Sequence, residues 1–263
     1  MTNPVLPILE HTYDTESKLE PSRLYEPRDV PEVCVVTFFG EVIAKVVAQY
    51  GARVVVPNRW EDGPHPLYEM EHRGQRVAFM HPSVGAPIAA GLLEEAIAFG
   101  CTKFIVIGGA GVLRKGMDVG GLILVSSAVR DEGLSYHYLP PAREVPANRD
   151  VVNRLADALH RRGIPYLKAK TWTTDAPYRE TQALIDARTE EGCVTVEMEA
   201  AALMAVAQFR KVLLGQILYA GDDLSGEEWD GRGWQSRAEI RESLFWLAAD
   251  VCSDWAGTSV RRD

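Results

Sequence analysis

From residue 33 onward, apolar runs of strand length alternate with stretches of helical period. Val33-Cys34-Val35-Val36-Thr37-Phe38-Phe39 is a continuous apolar segment ended by Gly40, which predicts a buried strand followed by a helix over 41–50. The same reading places strands at 53–56, 77–80, 103–107, 122–129, 166–171 and 212–219, with a hairpin through His72-Arg73-Gly74-Gln75-Arg76. Helices are expected at 88–99, 148–162, 180–188 and 236–248. Val194-Thr195-Val196 begins a strand that runs into a buried helix beyond Ala200, and 103–107 is expected to stop at Gly108-Gly109-Ala110-Gly111. Strands and helices alternating in this way predict an α/β protein with a central sheet covered on both faces. Residues 1–31 carry Pro4, Pro7, Pro21, Pro27 and Pro31 without any period, so they predict an extended arm that frays or lies across a neighbouring subunit. Residues 32–263 then form a single domain, a size that one hydrophobic core can serve.

Composition narrows the function more than the fold. The net charge of −9 argues against nonspecific nucleic-acid binding, which depends on Lys and Arg neutralising phosphates, and leaves a small ligand open. Cys34, Cys101, Cys193 and Cys252 are widely separated in apolar contexts, so they predict reduced core thiols and no zinc site. No segment reaches the roughly 20 apolar residues a membrane span needs, and no signal-peptide pattern opens the chain; a cytoplasmic, membrane-free protein is expected.

The chemistry concentrates in a few strings. Val196-Glu197-Met198-Glu199-Ala200-Ala201-Ala202 sets two carboxylates in an apolar stretch, where a bare charge would be very costly. They are either ordinary helix-start acids, favoured by the helix dipole, or site residues. Asp222-Asp223 ends a predicted strand, and crowding of like charges there is expected to raise at least one carboxyl pKa, as a general acid requires. That cluster lacks a D-x-D-x-D-G calcium pattern, so no metal is expected. Gly108 and Gly109 suit close backbone approach to a ligand or a tight strand exit, and a dinucleotide fingerprint would need a third glycine where Arg114 stands. Arg130-Asp131-Glu132-Gly133-Leu134-Ser135 is rich in hydrogen-bonding groups, as a ligand loop or a solvated one would be. Trp172 to Tyr178 offers aromatic faces for a planar base, or a capped helix start.

Taken in order, these strings resemble the nucleoside phosphorylase superfamily, in the branch of hexameric purine nucleoside and uridine phosphorylases. The likeness runs over about residues 33–250, and Val196-Glu197-Met198-Glu199-Ala200 with its distance to Asp222 is its most specific part. The resemblance implies a three-layer fold around a distorted, mixed and partly barrel-like sheet, paired into homodimers that build homohexamers. It implies a nucleoside and phosphate as substrates, with no cofactor. It places Glu199 on the ribose hydroxyls, Met198 under the sugar, Glu197 near base and sugar, Tyr178 among the base-stacking residues, and Asp222 as proton donor to the departing base. Gly108, Gly109 and Arg130 complete the expected substrate site. The family's phosphate-binding Arg and Ser positions hold Val106 and Gly109, and Gly40-Glu41-Val42-Ile43-Ala44-Lys45 replaces its phosphate loop. Lys45, Arg59, Arg114 or Arg130 are candidates for a rebuilt anion site. The alternatives are a nucleosidase with Glu41 activating water, a binding protein without turnover, or an enzyme for a phosphorylated nucleoside.

Overall fold

In the computed structural model, which describes residues 6–257, β1 (Val33–Thr37) is buried at every position, as a strand covered on both faces must be. Ahead of it the arm forms a single 3-10 turn (Pro7–Leu9) and a short helix, α1 (Pro21–Leu24). After it come α2 (Gly40–Gln49), β2 (Arg53–Val56), the small pair β3 (Arg59–Trp60) and β4 (Gly63–Pro64), and the hairpin β5 (Leu67–His72) with β6 (Gln75–Met80). Arg73 and Gly74 turn the hairpin at φ 54° and 74°, the conformation whose twist suits a two-residue connection. The chain continues through α3 (Ala86–Phe99), β7 (Lys103–Val112), β8 (Leu122–Asp131), β9 (Glu144–Pro146), α4 (Arg149–Arg161) and β10 (Tyr166–Thr174). It ends with α5 (Gln182–Glu190), β11 (Cys193–Glu197), α6 (Ala200–Arg210), β12 (Leu213–Asp223) and α7 (Ala238–Trp255).

The sheet runs β11-β10-β8-β12-β7-β1-β6-β5-β2, and β11 pairs again with β7. Five strands therefore close into a barrel while β1, β6, β5 and β2 extend from it as an open wing. Closure depends on β7, which pairs in parallel with β1 over Lys103 to Ile107 and with β12 along nearly its whole length, and antiparallel with β11 at Gly111 and Val112. The expected stop at Gly108 is thus corrected, because partners on both sides carry the strand through its glycines. Gly111 is required at the seam: a Cβ there would lie 2.5 Å from Leu224 and 3.0 Å from Val196.

One apolar layer joins the sheet to α3 and α6, and a second joins its other face to α2, α4 and α7. Together these give the expected three-layer α/β architecture. The arm folds back on its own domain, where Tyr25 donates to Glu95 at 2.6 Å and Arg210 bridges Glu20 (2.7 Å) and Glu94 (2.6 Å). All four cysteines are buried free thiols. Among the described residues no helix is long and apolar enough to cross a membrane.

Candidate active site

The strand ends β1, β7, β11 and β12 surround a cavity of about 400 Å³. Glu197, Met198 and Glu199 form one wall. Glu197 ends β11, and its Oε2 accepts the backbone N–H groups of Glu199 (2.7 Å) and Ala200 (2.6 Å), satisfying the free donors at the start of α6. Its Oε1 accepts the Thr173 hydroxyl at 2.6 Å. Glu199 occupies the N-cap of α6, and its Oε1 accepts Gly85 N–H at 2.6 Å from the turn before α3. That turn needs glycine, since Gly85 has φ 103°. Burial pushes the Glu197 carboxyl up to about 7. Burial and then the charge of Glu197 push Glu199 up to about 8.

The opposite wall is aromatic and cationic. Phe38 and Phe39 follow β1, Tyr219 lies on β12, Trp234 precedes α7, and Arg241 stands near the start of α7. Gly108 and Gly109 lie between the walls. Tyr219 fills the room a side chain at Gly109 would take, its ring 3.0 Å from the point a Cβ would occupy. Sequence reasoning missed Arg241, Tyr219 and Gln216, none of which belongs to a recognisable string.

Glu197, Met198, Glu199, Gly108 and Gly109 line this one cavity, while Arg130, Tyr178 and Asp222 lie outside it. Arg130 does not reach the cavity: its guanidinium is buried beneath the following loop, donating to Ser135 Oγ (2.9 Å) and the carbonyls of Pro140 (2.7 Å) and Leu139 (3.1 Å). It staples that loop, and the Tyr136 ring covers it at 4.2 Å. Tyr178 is 98% exposed on a single turn and does not line the cavity. Trp172 belongs to a small core cluster with Ile185 and Val196. Lys45 pairs with Glu242 on the surface at 2.7 Å.

Asp222 ends β12 beyond the cavity rim, with Oδ2 accepting the Trp229 indole N–H at 2.7 Å. Asp223, its neighbour in sequence, has other partners: it faces Arg232 at 3.5 Å and accepts the Ser225 N–H at 2.8 Å. The carboxyl that Asp222 does crowd is Glu180, pushed up to about 7 by burial and then by the Asp222 charge.

The family model described as "Phosphorylase superfamily" matches residues 32–244. Uridine phosphorylase of Thermococcus kodakarensis is 26% identical over 182 residues, 62% of this chain and 66% of that protein. A DeoD-type purine nucleoside phosphorylase of Bacillus cereus is 27% identical over 188 residues, covering 70% and 77% of the two chains. Among solved structures, AMP nucleosidase from Bacteroides thetaiotaomicron superposes with a TM-score of 0.70 over 86% of this chain and 89% of the other, at 22% identity. The family model spans most of the chain, the Glu197–Glu199 wall included, and leads to one conclusion: this chain belongs to the phosphorylase superfamily.

Proposed function

We propose that the protein cleaves the N-glycosidic bond of a nucleoside by phosphorolysis, giving free base and ribose 1-phosphate. The observation that carries this reading is Glu199, a buried carboxyl held by one backbone N–H on the wall of a sugar-sized cavity. Once ionised, the Glu199 carboxylate accepts two hydroxyl protons at once, which matches a ribose 2′,3′-diol, and Met198 supplies an apolar surface for the ring. As the C1′–N bond breaks, its electron pair leaves with the base and positive charge develops on the sugar. The carboxylate near the ribose stabilises that charge in a water-poor site. A phosphate oxygen then forms the new bond at C1′, and the base gains a proton on the side where Asp222 and Glu180 lie together.

The relatives include phosphorylases of uridine and of purine nucleosides, which supports the reaction class. Hydrolysis is the second reading, favoured by Val106 and Gly109 at the positions where the resemblance puts phosphate ligands. Exposed Val84 (64%) and Trp229 (64%) support an oligomer that covers this rim.

Base release from purine and pyrimidine nucleosides, with and without phosphate, tests the reading when the sugar product is identified by mass. Ribose 1-phosphate formed only with phosphate is the expected result. Free ribose at an unchanged rate without phosphate makes the protein a nucleosidase, and no base release overturns both.

A further inference from the structure

Arg241 is the cationic side chain on the cavity wall, and its surroundings are unlike those of a surface arginine. Its side chain is 12% exposed, with the guanidinium 5.3 Å from the Phe39 ring and 5.7 Å from the Trp234 ring. Nε donates to the Tyr219 hydroxyl at 3.1 Å, Nη2 to the Trp234 carbonyl at 3.1 Å, and Nη1 to Glu41 Oε1 at 2.8 Å. A guanidinium has five N–H donors, so these contacts leave one on each terminal nitrogen. Two of the acceptors are neutral and fixed. The third, Glu41, is 48% exposed on the first turn of α2, and an ion pair that open to water is weak.

A second observation marks the cavity as a ligand site. Gln216 lines it at 1% exposure, and its Oε1 has no hydrogen-bond partner. A buried amide oxygen is costly to leave unpaired, and this one belongs to a residue of the cavity lining. The ladder places Gln216 beside Val106 and Tyr219 beside Gly109. Polar groups absent from β7 are therefore present one strand over on β12, and one of them orients Arg241. The cavity is polarised: a carboxylate wall suited to hydroxyls faces a guanidinium suited to an oxyanion.

We propose that Arg241 anchors a phosphoryl oxyanion in this cavity, displacing Glu41 from the guanidinium as it binds. A phosphoryl group brings more charge and a fork-matched pair of oxygens, while the released Glu41 returns to solvent at little cost. Two sources share that chemistry: inorganic phosphate as the attacking group, or the 5′-phosphate of a nucleotide substrate. The proposal rests on the nucleoside reading for the sugar at Glu199, but anion binding by Arg241 can be tested without it.

Calorimetric titration of the full chain with inorganic phosphate, a nucleoside 5′-monophosphate and the parent nucleoside provides the test, run beside base-release kinetics. Arg241→Gln is expected to weaken the phosphoryl ligand by about 10- to 100-fold while nucleoside affinity stays within about threefold. Glu41→Gln should tighten it by about two- to fivefold, since a competing carboxylate is gone. A raised KM for phosphate identifies the free anion as the source; a raised KM for nucleotide without a phosphate requirement identifies the 5′-phosphate. Wild-type affinity for both ligands in Arg241→Gln overturns the proposal, as does a wild-type chain that binds neither. Should Arg241→Gln not fold, Arg241→Lys and Glu41→Gln decide, and unchanged affinity in both is equally fatal. Absence of base release with intact phosphate binding would remove the proposed reaction and leave the Arg241 site standing.

Discussion

The two walls of the cavity are held by different kinds of partner. Glu197 and Glu199 are tied to backbone N–H groups of Glu199, Ala200 and Gly85, which cannot move without unwinding α6 or opening the turn before α3. Arg241 is held by a phenol, one carbonyl and an exposed carboxylate from three separate parts of the chain. A wall fixed by backbone suits the part of a substrate that must be gripped throughout the reaction. A wall whose partners can exchange suits a group that enters and leaves.

The hardest test of that contrast is Glu199→Gln, which keeps the acceptor for Gly85 N–H but cannot ionise. Loss of the charge-assisted grip on two hydroxyls is expected to lower kcat/KM by about 10²- to 10³-fold. Stability should move the other way. A carboxyl raised to about 8 in the folded chain binds its proton there when the unfolded chain has already released it. Wild-type stability is therefore expected to fall as pH rises from the ordinary carboxyl range towards about 8, and the Gln variant to escape much of that fall. Melting curves above neutral pH should show the variant more stable by about 1 kcal/mol or more, a few degrees for a chain of this length. Equal activity would remove Glu199 from the sugar site, and a flat wild-type profile would show that it is ionised from the outset.

Beyond the fixed wall, the acid pair carries the next largest effect. Asp222→Asn is expected to lower kcat by about 10²-fold while nucleoside binding changes little, if the proposed proton transfer runs through it. Because Glu180 is raised to about 7 by burial and by the Asp222 charge, turnover should decline above that pH as Glu180 loses its proton. Glu180→Gln should abolish that limb of the rate profile. An unchanged profile in Glu180→Gln would separate the pair from the chemistry.

Arg130 offers a contrasting arginine, since its contacts are all structural. Arg130→Met leaves Ser135 and two carbonyls without their donor and is expected to cost about 2 kcal/mol of stability, with kcat/KM of the folded protein within about threefold of wild type. A large rise in KM without loss of stability would return Arg130 to the substrate site.

How legible each region was follows from how local its partners are. Glu197 and Glu199 stand in one string at a strand-to-helix junction, and the N–H groups that hold Glu197 belong to the next three residues. Their pattern could be read because sequence neighbours are also spatial neighbours there. Arg241 meets Glu41 across 200 residues, and no periodicity in α7 distinguishes it from an ordinary helix-start arginine. Arg130 misled because a polar loop after a strand looks the same whether its arginine faces a ligand or its own carbonyls. The strands, the two covered sheet faces and the hairpin turn were legible for the same local reason, whereas the order of the strands and the passage of β7 through Gly108 to Gly111 beside β12 and β11 rest on distant partners that no local pattern reveals.

The smallest effects test where the site ends. Trp229 is 64% exposed, and its contact with Asp222 is one hydrogen bond to a carboxylate. Trp229→Phe is expected to lower kcat by about two- to tenfold, the range one such bond supports, without changing nucleoside affinity. Tyr178 makes a sharper case, because an exposed side chain with no packing to lose leaves both stability and turnover nearly untouched when removed. Tyr178→Ala should stay within about twofold of wild type in kcat/KM and about 0.5 kcal/mol in stability. A loss of tenfold or more would mean that the turn carrying Tyr178 closes over the bound base. The rim of the site would then extend from Asp222 to the loop after β10, and the aromatic contact read from the sequence would exist only in the complex.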